Sequence, residues 1–124
     1  MDSTRSATPH KQLIVWQKAR DLAVHVYRVA QLLPPSERFE LGTQLRTACA
    51  SITGNIAEGK GRKTKAEFAH FLGIARGSTR ELDSHLNLSV GLGFLSEEDV
   101  APLLGLCDEI SRMLTTMMRK LTPL

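Results

Sequence analysis

The residues of this 124-residue chain that could carry chemistry are few, and their spacing argues against a metal centre. Glu67 and His70 form a Glu-x-x-His pair of the kind that helical bundles use to hold two metal ions. Such a centre needs two of these pairs, and the sequence contains one. We therefore interpret Glu67 and His70 as solvated or interface residues rather than as metal ligands.

The sequence also argues against nucleophilic catalysis and against nucleotide binding. No serine, cysteine or histidine lies in the sequence context of an activated nucleophile. The Gly59-Lys60-Gly61 segment lacks the preceding strand and the Gly-Lys-Ser/Thr spacing of a phosphate-binding loop. Cys49 and Cys107 occupy apolar helical positions and are expected to be buried thiols. The sequence thus predicts a protein that is not an enzyme and that holds no metal or cofactor.

A basic loop is the clearest concentration of charge. It carries Lys60, Arg62, Lys63 and Lys65, and Arg76 and Arg80 are expected on the exposed side of the following helix. Such a cluster can neutralise phosphates of RNA or DNA, and it can equally be a solvated loop that keeps the protein soluble. Both interpretations stay open. No aromatic residue interleaves with the loop, so any recognition would use shape and charge rather than base stacking.

The charge of the whole chain is distributed unevenly. The formal net charge is +3, but it divides into +2 for residues 1–37, +5 for residues 38–80 and −4 for residues 81–124. A basic middle and an acidic final third indicate either subunits that pair by charge or a basic surface for an anionic partner.

Four segments with a 3.6-residue apolar repeat must position these charges. They span about 15–33, 37–57, 65–92 and 96 to the C-terminus, and Ser96 with Asp99 resembles a capping box that opens the last. Two glycines in the 59–64 loop are expected to permit positive φ, and Pro102 to kink the fourth helix or move its start. The pattern predicts an all-α, antiparallel up-and-down four-helix bundle over residues 13–124, preceded by a disordered tail at 1–12.

Surplus apolar surface predicts that the bundle associates with copies of itself. The apolar arcs of the first and fourth helices are wider than a single small bundle needs, and Trp16 and Tyr27 extend the first of them. Gly73 and Gly77 lie on the face of the third helix opposite its apolar face, and another backbone could approach closely there. We call this face the back of the helix. We assign these four residues to an oligomer interface. The sequence contains no signal peptide and no apolar run long enough to span a bilayer, so we expect a cytoplasmic protein without membrane contact.

Several stretches resemble one family, the small bacterial proteins encoded in intervening sequences of 23S ribosomal RNA genes. The matching stretches are Leu-Ile-Val-Trp-Gln-Lys-Ala at 13–19, Ser-Ile-Thr-Gly-Asn-Ile-Ala-Glu-Gly at 51–59, residues 67–82 and residues 93–98. Thr53 stands where the family usually has proline, and Pro102 enters a helix that is usually uninterrupted. The resemblance implies an antiparallel four-helix bundle that assembles as a ring-like homopentamer.

The same family includes relatives of the accessory variability determinant of diversity-generating retroelements, which works with a reverse transcriptase and binds nucleic acid through a basic surface. The resemblance therefore implies three kinds of partner for this chain: itself, RNA or DNA, and a protein such as a reverse transcriptase. Our leading hypothesis is a non-enzymatic, homo-oligomeric module that binds RNA or DNA through the basic loop. The alternative is a scaffold that recruits a partner protein without nucleic acid.

Overall fold

The computed structural model describes residues 9–123, and within them every regular element is helical. Short 3₁₀ turns at Pro9–Gln12 and Pro35–Glu37 precede the first and second α-helices. Residues 1–8 of the predicted tail lie outside the described residues, and residues 9–12 form the first of these turns. The α-helices are α1 (Ile14–Ala30), α2 (Leu41–Lys60), α3 (Lys65–Gly91) and α4 (Glu97–Leu121). The all-α four-helix bundle is confirmed.

Contacts between neighbouring helices show that the bundle runs up and down. Ser51 and Gly59 of α2 lie against Ser78 and Phe71 of α3, so these helices are antiparallel. Gly73 and Arg76 of α3 lie against Met118 and Thr115 of α4, so that pair is antiparallel too. Lys18 on α1 pairs with Glu109 on α4 at 2.9 Å. One end of the bundle therefore holds the start of α1, the α2–α3 loop and the end of α4. The other end holds the α1–α2 and α3–α4 connections.

The core consists of aliphatic side chains that all four helices point inward. Each fully buried leucine or isoleucine contributes about 1.5–3 kcal/mol relative to an exposed one. The largest of the fully buried side chains include Leu22, Leu45, Ile52, Ile56, Leu72, Leu82, Leu86, Ile110 and Leu114.

No helix between Pro9 and Pro123 combines the length and the apolar character needed to cross a membrane.

The ends of α1 and α2 differ from those predicted. Helix α1 ends three residues early, because Leu33 bonds back to Ala30 in a 3₁₀ turn and packs into the core ahead of Pro34. Helix α2 begins later and continues to Lys60, so Gly59 and Lys60 are helical rather than part of the loop. The weak helix formers Thr53 and Gly54 do not end α2, since packing along its length outweighs local propensity.

Helices α3 and α4 begin close to the predicted positions, at Lys65 and Glu97. The Thr64 hydroxyl accepts a hydrogen bond from the backbone N–H of Glu67, and Ser96 and Asp99 form the predicted capping box. The Ser96 backbone N–H, and secondarily its hydroxyl, lower the pKa of Asp99. Pro102 lies inside α4 and does not move its start from Glu97.

Candidate nucleic-acid interface

The α2–α3 loop is anchored by a close approach of the two helices at Gly59. A β-carbon at Gly59 would lie 2.9 Å from Cβ of Phe71, 3.0 Å from Cδ1 of Phe68 and 3.2 Å from the Phe68 carbonyl oxygen. These contacts explain why glycine is required there. The expectation of positive φ in this loop is wrong, since Gly93 is the described glycine with positive φ, at 80°. Glycine at position 59 serves interhelical packing instead.

Two cations of the basic loop lie on phenyl rings contributed by α3. The Lys60 Nζ is 5.8 Å from the centroid of the Phe68 ring, and the Arg62 Cζ is 4.7 Å from that of Phe71. Arg62 Nη2 also pairs with Glu58 Oε2 at 2.9 Å. These contacts restrict both cations before any ligand arrives. The sequence pattern missed the rings, because they follow the loop by one helical turn rather than alternating with its cations.

Lys63 and Lys65 complete the loop without such contacts. Both are exposed, and neither forms a hydrogen bond or ion pair with another residue of the described range 9–123. Lys65 is the first residue of α3, where the positive end of the helix dipole disfavours a cation. Helix stability therefore gives no reason for a lysine at this position.

The up-and-down topology brings further cations to the loop. Lys11 lies in the turn before α1, and Arg119 and Lys120 lie in the last turn of α4, at the same end of the bundle. Two carboxylates, Glu58 and Glu67, partly offset these charges, which leaves a net +5. We call this surface the basic end, defined by Lys11, Lys60, Arg62, Lys63, Lys65, Arg119 and Lys120. The sequence offered no signal for Lys11, Arg119 and Lys120, because about 50 residues separate each from the loop.

Arg76 and Arg80 do not belong to the basic end. Arg76 lies 11 residues beyond Lys65, or about 16 Å along α3. It is half-buried, and its Nη1 donates a hydrogen bond of 3.1 Å to the Thr115 hydroxyl of α4, so its predicted place on an exposed side is wrong. Arg80 is exposed but lines a cleft of about 250 Å³ that also contains Asp83 and Asp108. These carboxylates weaken any attraction of Arg80 for phosphate.

The opposite end of the bundle carries the opposite charge. Two short segments there, residues 31–41 and 91–99, contain five carboxylates and the single cation Arg38, a net −4. The uneven charge seen along the sequence thus becomes a charge gradient along the bundle axis. The carboxylates are Glu37, Glu40, Glu97, Glu98 and Asp99.

Two residues assigned to the oligomer interface, Trp16 and Tyr27, line one shallow groove between α1 and α2. The groove has a volume of about 540 Å³ and a largely apolar lining that includes Val24 and Ala50. Tyr27 and Val24 are 48% and 44% exposed, which is high for such side chains in a packed bundle. Arg20 covers part of the groove, with its Cζ 5.5 Å from the Trp16 ring.

The two glycines assigned to the same interface behave differently from each other. A β-carbon at Gly73 would meet the Met118 methyl group at 3.3 Å, so the close neighbour there is α4 of the same chain. Gly77 is exposed, and a β-carbon there would have open space around it. The small-residue back of α3 is thus partly covered within the chain.

The remaining groups with chemical potential are separate from one another. His70 is exposed and rests edge-on against Phe71 at 5.4 Å. Among residues 9–123, no three His, Cys, Asp or Glu side chains converge as they would around a metal ion. Cys49 and Cys107 are free and buried, as predicted, and desolvation raises the pKa of each thiol to about 12.

Fold and charge together define a small up-and-down four-helix bundle with one strongly basic end. Residues 11–116 match the model of the family described as 23S rRNA-intervening sequence protein, and the chain belongs to that family. No protein with a curated description has a significantly similar sequence.

A solved structure shares the fold. It is the 1.70 Å crystal structure of a protein of unknown function from the S23 ribosomal protein family of Bacteroides thetaiotaomicron VPI-5482. The match covers 86% of this chain and 99% of that chain, with a TM-score of 0.79 and 22% sequence identity. At this identity the likeness concerns the fold alone.

Proposed function

We propose that this chain is a non-enzymatic, homo-oligomeric protein that binds RNA or DNA through its basic end. The observation that carries the proposal is the convergence of seven cations from three separate parts of the chain on one end of the bundle. Cations at such density release counterions from a phosphate backbone, which drives association without reading sequence.

Solubility alone does not account for this arrangement. A solvated loop needs no aromatic rings beneath its cations, yet Lys60 and Arg62 each lie over one. Lys65 occupies a helix position that disfavours a cation, and the opposite end of the bundle is acidic rather than uniformly charged. These features favour an anionic ligand over a merely soluble surface.

Substitution of Lys63 and Lys65, which form no ion pair within residues 9–123, tests the proposal. Lys63→Gln with Lys65→Gln should weaken binding of a fluorescein-labelled RNA or DNA, followed by anisotropy at low salt, by roughly tenfold or more. The matched control is Lys18→Gln with Arg112→Gln, which removes two cations paired with Glu109 and Asp108 on the side of the bundle. The control should bind like the unaltered protein. Equal losses in both variants, or no binding by the unaltered protein, would refute the proposal.

Self-assembly is the second part of the proposal, and the groove between α1 and α2 supports it. Tyr27 and Val24 expose apolar surface beside Trp16, and the family resemblance implies a ring of five. Tyr27→Glu should lower the mass measured by light scattering toward that of one chain, with helicity retained by circular dichroism. The control is Leu92→Glu, similarly exposed but outside the groove and away from Gly73 and Gly77, which should leave the mass unchanged.

A protein scaffold is a second candidate function, and one observation favours it. Phe39 is 86% exposed and lies with Leu92, at 54%, at the end opposite the basic end. A partner protein, of which a reverse transcriptase is the kind implied by the resemblance, could bind there. Capture of such a partner from nuclease-treated extract, lost on Phe39→Ser, would support this function over nucleic-acid binding.

A further inference from the structure

We infer that the ligand of the basic end is a duplex, and that the bundle meets it end-on. This inference rests on the proposed function and adds the form of nucleic acid and the direction of approach. Three features carry it: the spread of the cations across the end, the lack of a free aromatic surface among them, and the charge gradient along the axis.

The cations of the basic end come from three separate parts of the chain rather than from one helix. Lys11 precedes α1, Lys63 lies between α2 and α3, and Lys120 closes α4. Four helices of about 10 Å diameter make an end face roughly 20 Å across. That width spans the phosphates on both sides of a nucleic-acid groove, about 6 to 12 Å wide in B-form DNA. A single strand offers one row of phosphates and leaves part of this face unused.

The aromatic residues near the basic end are not free to stack on bases. Phe68 and Phe71 are half-buried, with Lys60 and Arg62 over their rings. The Trp16 ring is contacted by His10 at 5.0 Å and by Arg20. Proteins that bind single strands gain about 1–3 kcal/mol per base from stacking on exposed rings. The basic end offers phosphate contacts instead, and these suit the outside of a duplex.

The charge gradient sets the direction of approach. Helix α2 alone is about 30 Å long, so the acidic end lies several Debye lengths from the basic end at physiological salt. Phosphates are therefore attracted to one end and repelled by the other. On the side, Lys18 and Arg112 pair with carboxylates, and Arg28 and Arg46 lie beside Tyr27 at the groove that we assign to self-association. The basic end thus contacts the duplex, and the acidic end of the bundle lies farthest from it.

Comparison of a labelled duplex with its two separated strands, each lacking self-complementarity, tests the inference with the full chain. The duplex should bind at least tenfold more tightly than either strand at equal salt. A duplex has a higher charge density than a single strand, so any basic patch binds it somewhat more tightly. The decisive measurement therefore uses the double variant Lys11→Gln with Lys120→Gln. This exposed pair, on two separate parts of the end face, should reduce duplex affinity roughly tenfold and strand affinity much less. Lys18→Gln with Arg112→Gln is the control for both ligands.

The possible failures are distinguishable. Binding of neither ligand at low salt overturns the proposed function and this inference with it. Single strands that bind as tightly as the duplex overturn the inference and leave nucleic-acid binding in place. Unchanged duplex affinity in the Lys11 and Lys120 variant overturns the end-on approach alone, provided that the Lys63 and Lys65 variant still loses affinity.

Discussion

Gly59 is the residue on which the geometry of the basic end most depends. Its α-carbon lies where α2 and α3 approach closely, beside Phe68 and Phe71. The side chains of Lys60 and Arg62 lie over these two phenyl rings. From the sequence, this glycine looks like a loop residue that allows a turn. The contact that explains it is made by residues 9 and 12 positions later, and local patterns do not reveal such contacts.

Gly59→Ala should destabilise the protein by about 1–3 kcal/mol, because its β-carbon would overlap the Cβ of Phe71, which cannot move without its backbone. Urea denaturation followed by circular dichroism measures the effect. Gly54→Ala is the matched control in the same helix, since position 54 is exposed with open space and alanine should stabilise it by about 1 kcal/mol. Equal effects in the two variants would show that the close approach at Gly59 does not constrain the fold.

At the scale of the helix, sequence predicts boundaries that a capping side chain marks better than boundaries that packing sets, such as the start of α2 at Leu41 rather than near residue 37. The predicted capping box at Ser96 marks the start of α4 correctly, because a capping side chain bonds to a backbone N–H within the same turn, and the structure adds Thr64 as the cap of α3. The ends of α1 and α2 were misplaced by three residues each. Their positions depend on tertiary packing, such as the burial of Leu33 and the contacts of Gly59, that local propensity does not contain.

Pro102 gives a test at this scale. Within α4 it has no N–H to donate to the carbonyl of Glu98, and it is exposed, so its replacement disturbs no core contact. Pro102→Ala should stabilise the protein by roughly 1–3 kcal/mol, measured by urea denaturation. Gly105→Ala, also exposed in α4 with open space, should stabilise by about 1 kcal/mol from propensity alone. A less stable Pro102→Ala variant would mean that the proline shapes the helix in a way its neighbours require.

At the scale of the whole molecule, function resides in what the topology brings together. The sequence identified the four loop cations of the basic end, and it placed Arg76 and Arg80 with them by proximity along the chain. The fold separates those two arginines from the loop and adds Lys11, Arg119 and Lys120 from the two ends of the described chain. An all-α bundle follows from apolar periodicity, but a charged end appears only when antiparallel helices are placed side by side.

Neutralisation of phosphates by the basic end should make binding strongly dependent on salt. The affinity of the full chain for a labelled DNA duplex is measured from low to physiological salt, for the unaltered protein and for Lys63→Gln with Lys65→Gln. The log–log slope should be steep, and the double variant should flatten it by about 2, since each neutralised phosphate contributes about −0.9. A slope that is near zero, or that is the same in both proteins, would show that Lys63 and Lys65 of the basic end do not neutralise phosphates.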